Sequence, residues 1–351
     1  MSAPIRVAVI GYGMAGRIFH TAVVKATPGM ELACVVQRTG NDAAEHYPGI
    51  KLARSIEEML ADQSIDLAIV ATPSHNHFEV AEQCLRAGKN VVIDKPFTLT
   101  SDEAARLIHL ARERQLMVTA YQNRRWDSDF KTVKQVMASG ALGRLVVYEA
   151  HYDRFRQEPR LKVWRENGGP GGGLLFDLGP HLIDQAISLF GDPEAITASV
   201  RIEREGAVVD DAFDIHLAYP GLTVWLRSTL TACAPGPRFT LHGTDGTFVK
   251  SGLDTQEDAL KAGATFDSPG FGYEPLEQRG TLYRVGHEPE LIETLPGDYR
   301  GYYASVRDAL LGVAPLQVTP EQAWRTTRLI ELARQSNAEG RTLKVDFSNA
   351  L

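Results

Sequence analysis

The chain has 351 residues, enough for two domains, and its 44% apolar and 23% charged residues are typical of a globular protein. Its net charge of −7 argues against a nucleic-acid-binding protein, and no apolar run approaches the ~18 residues that cross a bilayer. Three separated cysteines and an N-terminus without secretory features favour a reducing compartment, so we expect a cytoplasmic protein without nucleic-acid or membrane partners.

Residues 1–122 alternate between short apolar runs and amphipathic helical patterns. The apolar runs predict strands at 5–10, 31–36, 66–71, 90–94 and 116–121. Between them, the segments 78–88 and 102–115 carry apolar residues three and four apart, as helices do. Because the strands are apolar on both faces and alternate with helices, we predict a doubly wound parallel α/β domain of the Rossmann type.

Residues 123–351 follow a different pattern, which predicts a second domain. Its predicted helices lie at about 127–139, 299–312 and 320–338. Its predicted strands lie at 144–155, 196–203, 211–219, 222–231 and 238–250, the last divided by a turn signal in Thr244-Asp245-Gly246. Consecutive strands followed by helices indicate an α+β domain with a largely antiparallel sheet. One face of such a sheet can stay open, so we expect a homodimer or homotetramer formed through it.

The segment after the first predicted strand reads GYGMAG and satisfies the pattern G-x-G-x-x-G. Gly11 allows the tight turn, Gly13 lets the backbone approach a pyrophosphate, and Gly16 permits close packing of helix on strand. Met14 and Ala15 complete the motif where the helix begins, and free N–H groups there favour a phosphate. The strand–loop–helix context predicts a dinucleotide site; glycines that only turn the chain are the alternative.

The end of the second predicted strand indicates which nicotinamide dinucleotide binds. An NAD site expects Asp or Glu about 20 residues after the glycine loop. The sequence instead reads VVQRT at 35–39, with no carboxylate before Asp42. The guanidinium of Arg38 and the hydroxyl of Thr39 suit a ribose 2′-phosphate. We therefore predict NADP as the cofactor, with a solvated surface arginine as the alternative.

A lysine follows the fourth predicted strand directly, in the stretch NVVIDKPF. Ligands of open α/β sheets bind outside the carboxyl ends of the strands, where a nicotinamide would meet its substrate. Pro96 restricts the backbone on both sides of its peptide bond and so sets the direction of Lys95. The sequence therefore predicts that Lys95 reaches the reaction site; a surface ion pair with Asp94 is the alternative.

A second candidate group lies in the glycine-rich stretch GGPGGGLLFDLGPHLID. Asp177 and His181 are four residues apart and share a helix face with Asp184, and Pro180 is expected near the first turn. Alcohol oxidation needs a proton acceptor, for which histidine is suited, and a neighbouring carboxylate can select its tautomer. Lys95 beside the same oxygen would stabilise an alkoxide. A lone helical histidine is more often structural, but the three residues together predict a catalytic group.

These stretches resemble the oxidoreductase family of glucose–fructose oxidoreductase, inositol dehydrogenase and rhizopine catabolism proteins (Gfo/Idh/MocA). The resemblance covers essentially the whole chain. It rests on GYGMAG (11–16), ATPSHNH (71–77), AGKNVVIDKP (87–96) and GGGLLFDLGPHLID (171–184). It implies that Lys95, Asp177 and His181 are the catalytic lysine, aspartate and histidine. The family's usual Glu-Lys-Pro reads Asp-Lys-Pro here, a conservative departure.

The resemblance also implies four further contacts with the cofactor. Thr72, Pro73 and His77 fall in the family's nicotinamide-side loop, and Asn123 follows the last Rossmann strand near the same ring. The stretches NRRWDSDF, HYDRFR and VWRENGGPG look most like NADP-dependent scyllo-inositol dehydrogenases, which implies a cyclic polyol as substrate. The alternatives are another inositol, an aldose or a ketose, a non-catalytic nicotinamide-binding sensor, and trans-dihydrodiol or imine reduction.

Other features leave alternatives open. His75 and His77 have the spacing of metal ligands but no third ligand, so no metal is predicted. Trp164 and Tyr152 either wall a pocket or pack in the core, and the segment 263–280 lies either over the site or at an interface. An anion site, cofactor phosphates or loop pairing would account for four arginines, Arg154, Arg156, Arg160 and Arg165.

Overall fold

The computed structural model describes residues 3–348. These residues form two sheets, the first of which has six parallel strands. The strands are β1 (Ile5–Ile10), β2 (Met30–Val36), β3 (Lys51–Ala53), β4 (Leu67–Val70), β5 (Asn90–Ile93) and β6 (Val118–Ala120). They lie in the order β3-β2-β1-β4-β5-β6, so the chain changes direction across the sheet between β1 and β4. Ligands of doubly wound sheets bind at such a switch point.

Short helices connect these strands. A π-helical turn at Gly16–Thr21 continues into α1 (Ala22–Ala26). The others are α2 (Asp42–His46), α3 (Ile56–Leu60), α4 (His77–Arg86) and α5 (Ser101–Glu113). The parallel α/β prediction is confirmed, with β3 as an addition. This three-residue strand has only one buried side chain, so it has no apolar run to reveal it.

The second sheet has nine strands in the order β14-β13-β12-β11-β7-β10-β9-β8-β15. The strands are β7 (Leu145–His151), β8 (Ala195–Arg201), β9 (Ala212–Tyr219), β10 (Leu222–Thr229), β11 (Phe239–Gly243), β12 (Gly246–Lys250), β13 (Gly280–Arg284), β14 (Glu290–Ile292) and β15 (Leu343–Lys344). All neighbours are antiparallel except β7 and β10. The largely antiparallel α+β prediction is therefore confirmed.

Residues 123–348 also contain five α-helices: α6 (Ser128–Ala138), α7 (Leu174–Phe190), α8 (Gln256–Lys261), α9 (Arg300–Leu310) and α10 (Pro320–Glu339). The sequence interpretation missed β13, β14, β15 and α8, and two further details need correction. Strand β7 ends at His151 rather than at 155. Helix α7 begins at Leu174, so Pro180 lies inside the helix rather than near its first turn.

Helices from the C-terminal part of the chain cover both faces of the first sheet. Alternate side chains of β1 point to opposite faces. Val7 belongs to a buried cluster with Tyr302 of α9, and Ile10 belongs to another with Trp324 of α10. Division of the chain at residue 122 therefore stays a prediction, because this hydrophobic core includes side chains from both segments. Within residues 3–348, no helix is both long and apolar enough to span a membrane.

Candidate active site

Two clefts adjoin at the carboxyl ends of the first sheet. The glycine-loop groove, of about 570 Å³, is lined by the loop after β1 and by residues that follow β2 and β4. The α7 cleft, of about 230 Å³, lies between the first sheet and α7. Met14, Ala15, Asp94 and Arg165 line both. A ligand in the groove can therefore reach the cleft.

The glycine loop has the backbone geometry that a bound pyrophosphate needs. Gly11 has φ of +100°, and a Cβ there would lie 2.7 Å from the carbonyl oxygen of Ala71. A Cβ on Gly16 would overlap the carbonyl oxygen of Gly11. A Cβ on Gly13 would meet no atom of residues 3–348 within 4 Å, so the backbone there is open to a ligand. Gly11 and Gly13 line the groove, whereas Gly16 lies behind it and serves packing.

The other predicted positions of the groove also lie in its wall. Arg38 and Thr39 follow β2, and Thr72 and Pro73 follow β4. Thr72 Oγ1 is buried and has no hydrogen-bond partner among residues 3–348, as expected of a group that a ligand would satisfy. Arg54, after β3, is a lining residue that the sequence interpretation missed because β3 itself was missed.

His77 lies behind the wall rather than in either cleft. Its side chain is buried, with Nδ1 2.7 Å from the carbonyl oxygen of Pro96 and Nε2 2.9 Å from that of Thr72. The imidazole thereby joins the loop after β4 to the loop after β5, so it can position the wall without touching a ligand. Asn123, by contrast, lines the α7 cleft and is 4% exposed.

The structure brings Lys95, Asp177 and His181 together in the α7 cleft, although Lys95 follows β5 and the other two lie on α7. Lys95 Nζ donates to Asp177 Oδ1 at 2.8 Å and to the Asp177 carbonyl oxygen at 2.6 Å. The lysine ammonium is therefore paired with Asp177 and not with Asp94, whose Oδ1 accepts from the Lys95 backbone N–H at 2.8 Å.

Two pKa shifts set the charges of this group. Burial alone would raise the pKa of Asp177, but the charges of Lys95 and Arg165 outweigh it and hold that pKa well below its usual range. Burial, with the positive charges of Lys95 and Arg124, lowers the pKa of His181 well below its usual value. The carboxylate is thus ionised and the imidazole neutral near pH 7.

His181 lines the cleft, and one of its ring nitrogens has no hydrogen-bond partner in the described part of the chain. The residue is 3% exposed, and this nitrogen is Nδ1. Asp184, one turn further along α7, does not join the group, because both of its oxygens accept from Arg125 at 2.7 Å. Of the three polar residues predicted to share this helix face, Asp177 and His181 therefore line the cleft, whereas Asp184 forms a buried ion pair.

Asp94 lies at the junction of the two clefts. Burial alone would raise the pKa of this carboxyl, but the charges of His20, Lys95 and His77 lower it to about 2. The nearest ring nitrogen of His20 is 3.9 Å from Asp94 Oδ2. A ligand spanning the junction would therefore meet a fixed negative charge beside the lysine.

All four arginines named from the sequence line the α7 cleft, but they differ in their partners. Glu166 accepts from Arg156 at 2.7 Å, from Arg160 at 3.2 Å and from Arg204 at 3.0 Å. Loop pairing accounts for Arg156 and Arg160, and Glu166 is a wall residue that the sequence interpretation missed. Arg165 Nε lies 3.4 Å from Asp177 Oδ1.

The two aromatic residues left open by the sequence have different roles. Trp164 lines the glycine-loop groove, with the Arg165 guanidinium 4.6 Å from its ring centroid. Tyr152 is 2% exposed and packs beneath Arg154 at 5.0 Å, so it belongs to the core. No residue of the segment 263–280 lines either cleft.

The fold and the two joined clefts define a nicotinamide-dependent oxidoreductase. Two family models match the chain: "Oxidoreductase family, NAD-binding Rossmann fold" over residues 5–122, and "Oxidoreductase family, C-terminal alpha/beta domain" over residues 134–346. The chain belongs to the Gfo/Idh/MocA oxidoreductase family.

Known relatives cover nearly the whole chain. The uncharacterized oxidoreductase YdgJ of Escherichia coli (strain K12) is 42% identical over 98% of this chain and 99% of its own. The scyllo-inositol 2-dehydrogenase (NADP(+)) IolW of Bacillus subtilis (strain 168) is 36% identical over 97% of this chain and 96% of its own.

Solved structures agree with this assignment. The oxidoreductase yvaA from Bacillus subtilis superposes with a TM-score of 0.95 at 35% identity, over 99% of this chain and 100% of its own. The YPO2259 oxidoreductase from Yersinia pestis has a TM-score of 0.93 at 40% identity, over 99% of each chain.

Proposed function

We propose that this protein is an NADP(H)-dependent dehydrogenase that interconverts a cyclic polyol and its ketone, with scyllo-inositol and scyllo-inosose as the substrate pair. The observation that carries the proposal is the convergence of Lys95, Asp177 and His181 beside the glycine-loop groove. The similarity to IolW supports the choice of cofactor and substrate.

The residues of the groove fit the cofactor. The open backbone at Gly13 and the orphaned hydroxyl of Thr72 would hold the dinucleotide, and Arg38 and Thr39 would receive its 2′-phosphate. When bound, the oxidised nicotinamide supplies the hydride acceptor. Asn123 and Lys95 line the neighbouring cleft, where the reactive end of such a ligand would lie.

Lys95 is positioned to polarise the reacting oxygen. An ammonium group has three N–H donors, and Asp177 receives two of them. The third is free to donate to a substrate hydroxyl in the cleft. The ionised Asp177 fixes the direction of the ammonium group, whose positive charge would stabilise a developing alkoxide.

His181 is suited to accept the hydroxyl proton. Its lowered pKa leaves the ring neutral at working pH, and its Nδ1 lacks a partner among residues 3–348. We assign proton transfer to His181 and polarisation to Lys95, because an ammonium group has no lone pair with which to accept a proton. Asp177 acts on Lys95 rather than on the imidazole.

Turnover tests the proposal. The purified chain mixed with NADP+ and scyllo-inositol is expected to produce reduced nicotinamide, which is measured by absorbance. A panel of other inositols, aldoses and ketoses, compared by kcat/KM, identifies the preferred substrate. Turnover of another polyol but no inositol would replace the substrate and keep the chemistry. Nucleotide binding without turnover of any panel member would favour the regulatory sensor.

We also propose that the protein is cytoplasmic and forms a homodimer or homotetramer through the second sheet. The outward face of this sheet carries Trp225 of β10, which is 37% exposed and stacks on His216 of β9 at 4.6 Å. Sedimentation velocity tests the assembly, with Trp225→Asp expected to shift the protein towards monomer. An unchanged sedimentation coefficient in this variant would place the interface elsewhere.

A further inference from the structure

The segment between β2 and α2 contains a side-chain interaction that the proposed function does not use. Gln37 directly follows β2 and is 9% exposed. Its Nε2 donates to Asp42 Oδ2 at 2.6 Å, and its Oε1 accepts from the Ala43 backbone N–H at 3.0 Å. The carboxamide therefore binds the first carboxylate that follows β2 in the sequence.

This interaction decides which charges face the groove. Gln37, Arg38 and Thr39 line the glycine-loop groove, whereas Asp42 does not. A carboxylate close to Arg38 would neutralise the guanidinium and repel a phosphate, and it would offer an acceptor to a free ribose hydroxyl. The segment thus contains the acid that would disfavour a 2′-phosphate, but holds it outside the groove wall.

Two neighbours fix this arrangement. Gly40 has φ of +78°, and a Cβ there would lie 2.9 Å from Asp42 Oδ2 and 3.2 Å from Gln37 Nε2, so a side chain would disturb the pair. Arg54 donates to the carbonyl oxygens of Gln37 at 3.0 Å and Gly40 at 2.6 Å, and to Asn41 Oδ1 at 2.6 Å. The loop that presents Arg38 and Thr39 is therefore held from both sides.

We infer that Gln37 is a specificity-determining residue that makes the groove accept an adenine nucleotide with a 2′-phosphate, by holding the Asp42 carboxylate away from Arg38. The inference rests on the proposed NADP(H) preference and deepens it. Gln37 acts through Asp42, so it is a positioning residue. Loss of its amide donor would leave the carboxylate free to turn towards the groove wall, where Arg38 lies.

Calorimetric titration with 2′,5′-ADP and with 5′-ADP tests the inference on the full chain without turnover. We expect Gln37→Ala to weaken 2′,5′-ADP binding about tenfold, as one freed carboxylate near a phosphate would do, and 5′-ADP binding less than about twofold. Adding Asp42→Asn to Gln37→Ala is expected to restore 2′,5′-ADP binding. Gln83→Ala, at an exposed position of α4, is the matched control.

The double variant distinguishes an effect on nucleotide specificity from a general loss of loop structure. Equal weakening of both nucleotides in Gln37→Ala, without recovery in the double variant, would mean that Gln37 only supports the loop, and the inference would be wrong. Unchanged binding in Gln37→Ala would also overturn it. If Gln37→Ala does not fold, Gln37→Met provides the same test, because it keeps a side chain of similar length, removes the amide donor without adding a charge, and is expected to weaken 2′,5′-ADP binding selectively.

The parent protein tests the proposed cofactor separately. Equal affinity of the unmodified chain for 2′,5′-ADP and 5′-ADP would contradict the NADP(H) preference itself. A preference for 2′,5′-ADP in the unmodified chain that survives Gln37→Ala would contradict only the role of Gln37.

Discussion

The two clefts are built in different ways. The glycine-loop groove is formed by loops that follow neighbouring parallel strands, and its ligand-binding groups include open backbone at Gly13. The α7 cleft depends on partly buried side-chain charges from distant parts of the chain, such as Lys95 and Asp177, 82 residues apart. We therefore expect the groove to bind a nucleotide independently of the cleft, whereas the chemistry proposed for the cleft requires correct packing of α7 against the first sheet.

The largest expected effect separates catalysis from nucleotide binding. His181→Asn removes the proton acceptor, and we expect kcat to fall about 10²–10⁴-fold. Affinity for the dinucleotide, measured by fluorescence titration, should stay within about threefold, because His181 does not line the groove. His109→Asn, at an exposed position of α5, is the control. A comparable loss of affinity would mean that the two clefts do not function separately.

The next effect concerns the wall of the α7 cleft. Glu166→Gln leaves Arg156, Arg160 and Arg204 without their shared carboxylate, and we expect the free energy of unfolding to fall by about 2 kcal/mol. Chemical denaturation measures this change, with the exposed Glu158→Gln as control. Equal stability of the two variants would show that the arginine cluster does not depend on Glu166.

A smaller effect is expected in the groove. Arg38→Ala should reduce kcat/KM with NADPH about 10–30-fold and leave kcat/KM with NADH nearly unchanged, because only NADPH carries the 2′-phosphate. Steady-state assays with both cofactors measure the ratio, and Arg106→Ala on α5 is the control. An equal loss with both cofactors would contradict the assignment of Arg38.

The smallest effect is the pH dependence of polyol oxidation. The proton acceptor must be neutral, and the pKa of His181 is lowered by burial and by Lys95 and Arg124. As the pH falls through 6.5, kcat/KM should therefore stay nearly constant, and it should decrease only at more acidic pH. A half-maximal rate at or above pH 6.5 would show that this histidine has an unshifted pKa or is not the base.

The difference between the glycine-loop groove and the α7 cleft also explains which features could be predicted from the sequence. The glycine loop and the segment from Gln37 to Thr39 are continuous stretches next to an obvious strand, so their place in the groove follows from local pattern. The parallel and antiparallel sheets were predictable for the same reason, except for four strands, β3, β13, β14 and β15, of which three are only two or three residues long.

The side-chain partners that could not be predicted depend on contacts between residues far apart in the sequence. The spacing of Asp177 and His181 places them on one helix face, but it does not show that Asp184 pairs with Arg125. Glu166 pairs with Arg204, 38 residues further along the chain, and no periodic pattern in the sequence indicates this contact. The role of His77 behind the wall was equally hidden, because a motif gives a residue's position but not the direction of its side chain.

The central claim is that one lysine and one histidine act on the same substrate oxygen beside the nicotinamide. A crystal structure of the protein with NADP+ and scyllo-inositol, or the polyol preferred in the substrate panel, tests it most directly. We expect Lys95 Nζ and a ring nitrogen of His181 within hydrogen-bond distance of a single hydroxyl, with the nicotinamide ring against the carbon that bears it. A polyol bound away from either side chain, or a nicotinamide ring outside the junction of the two clefts, would contradict the claim.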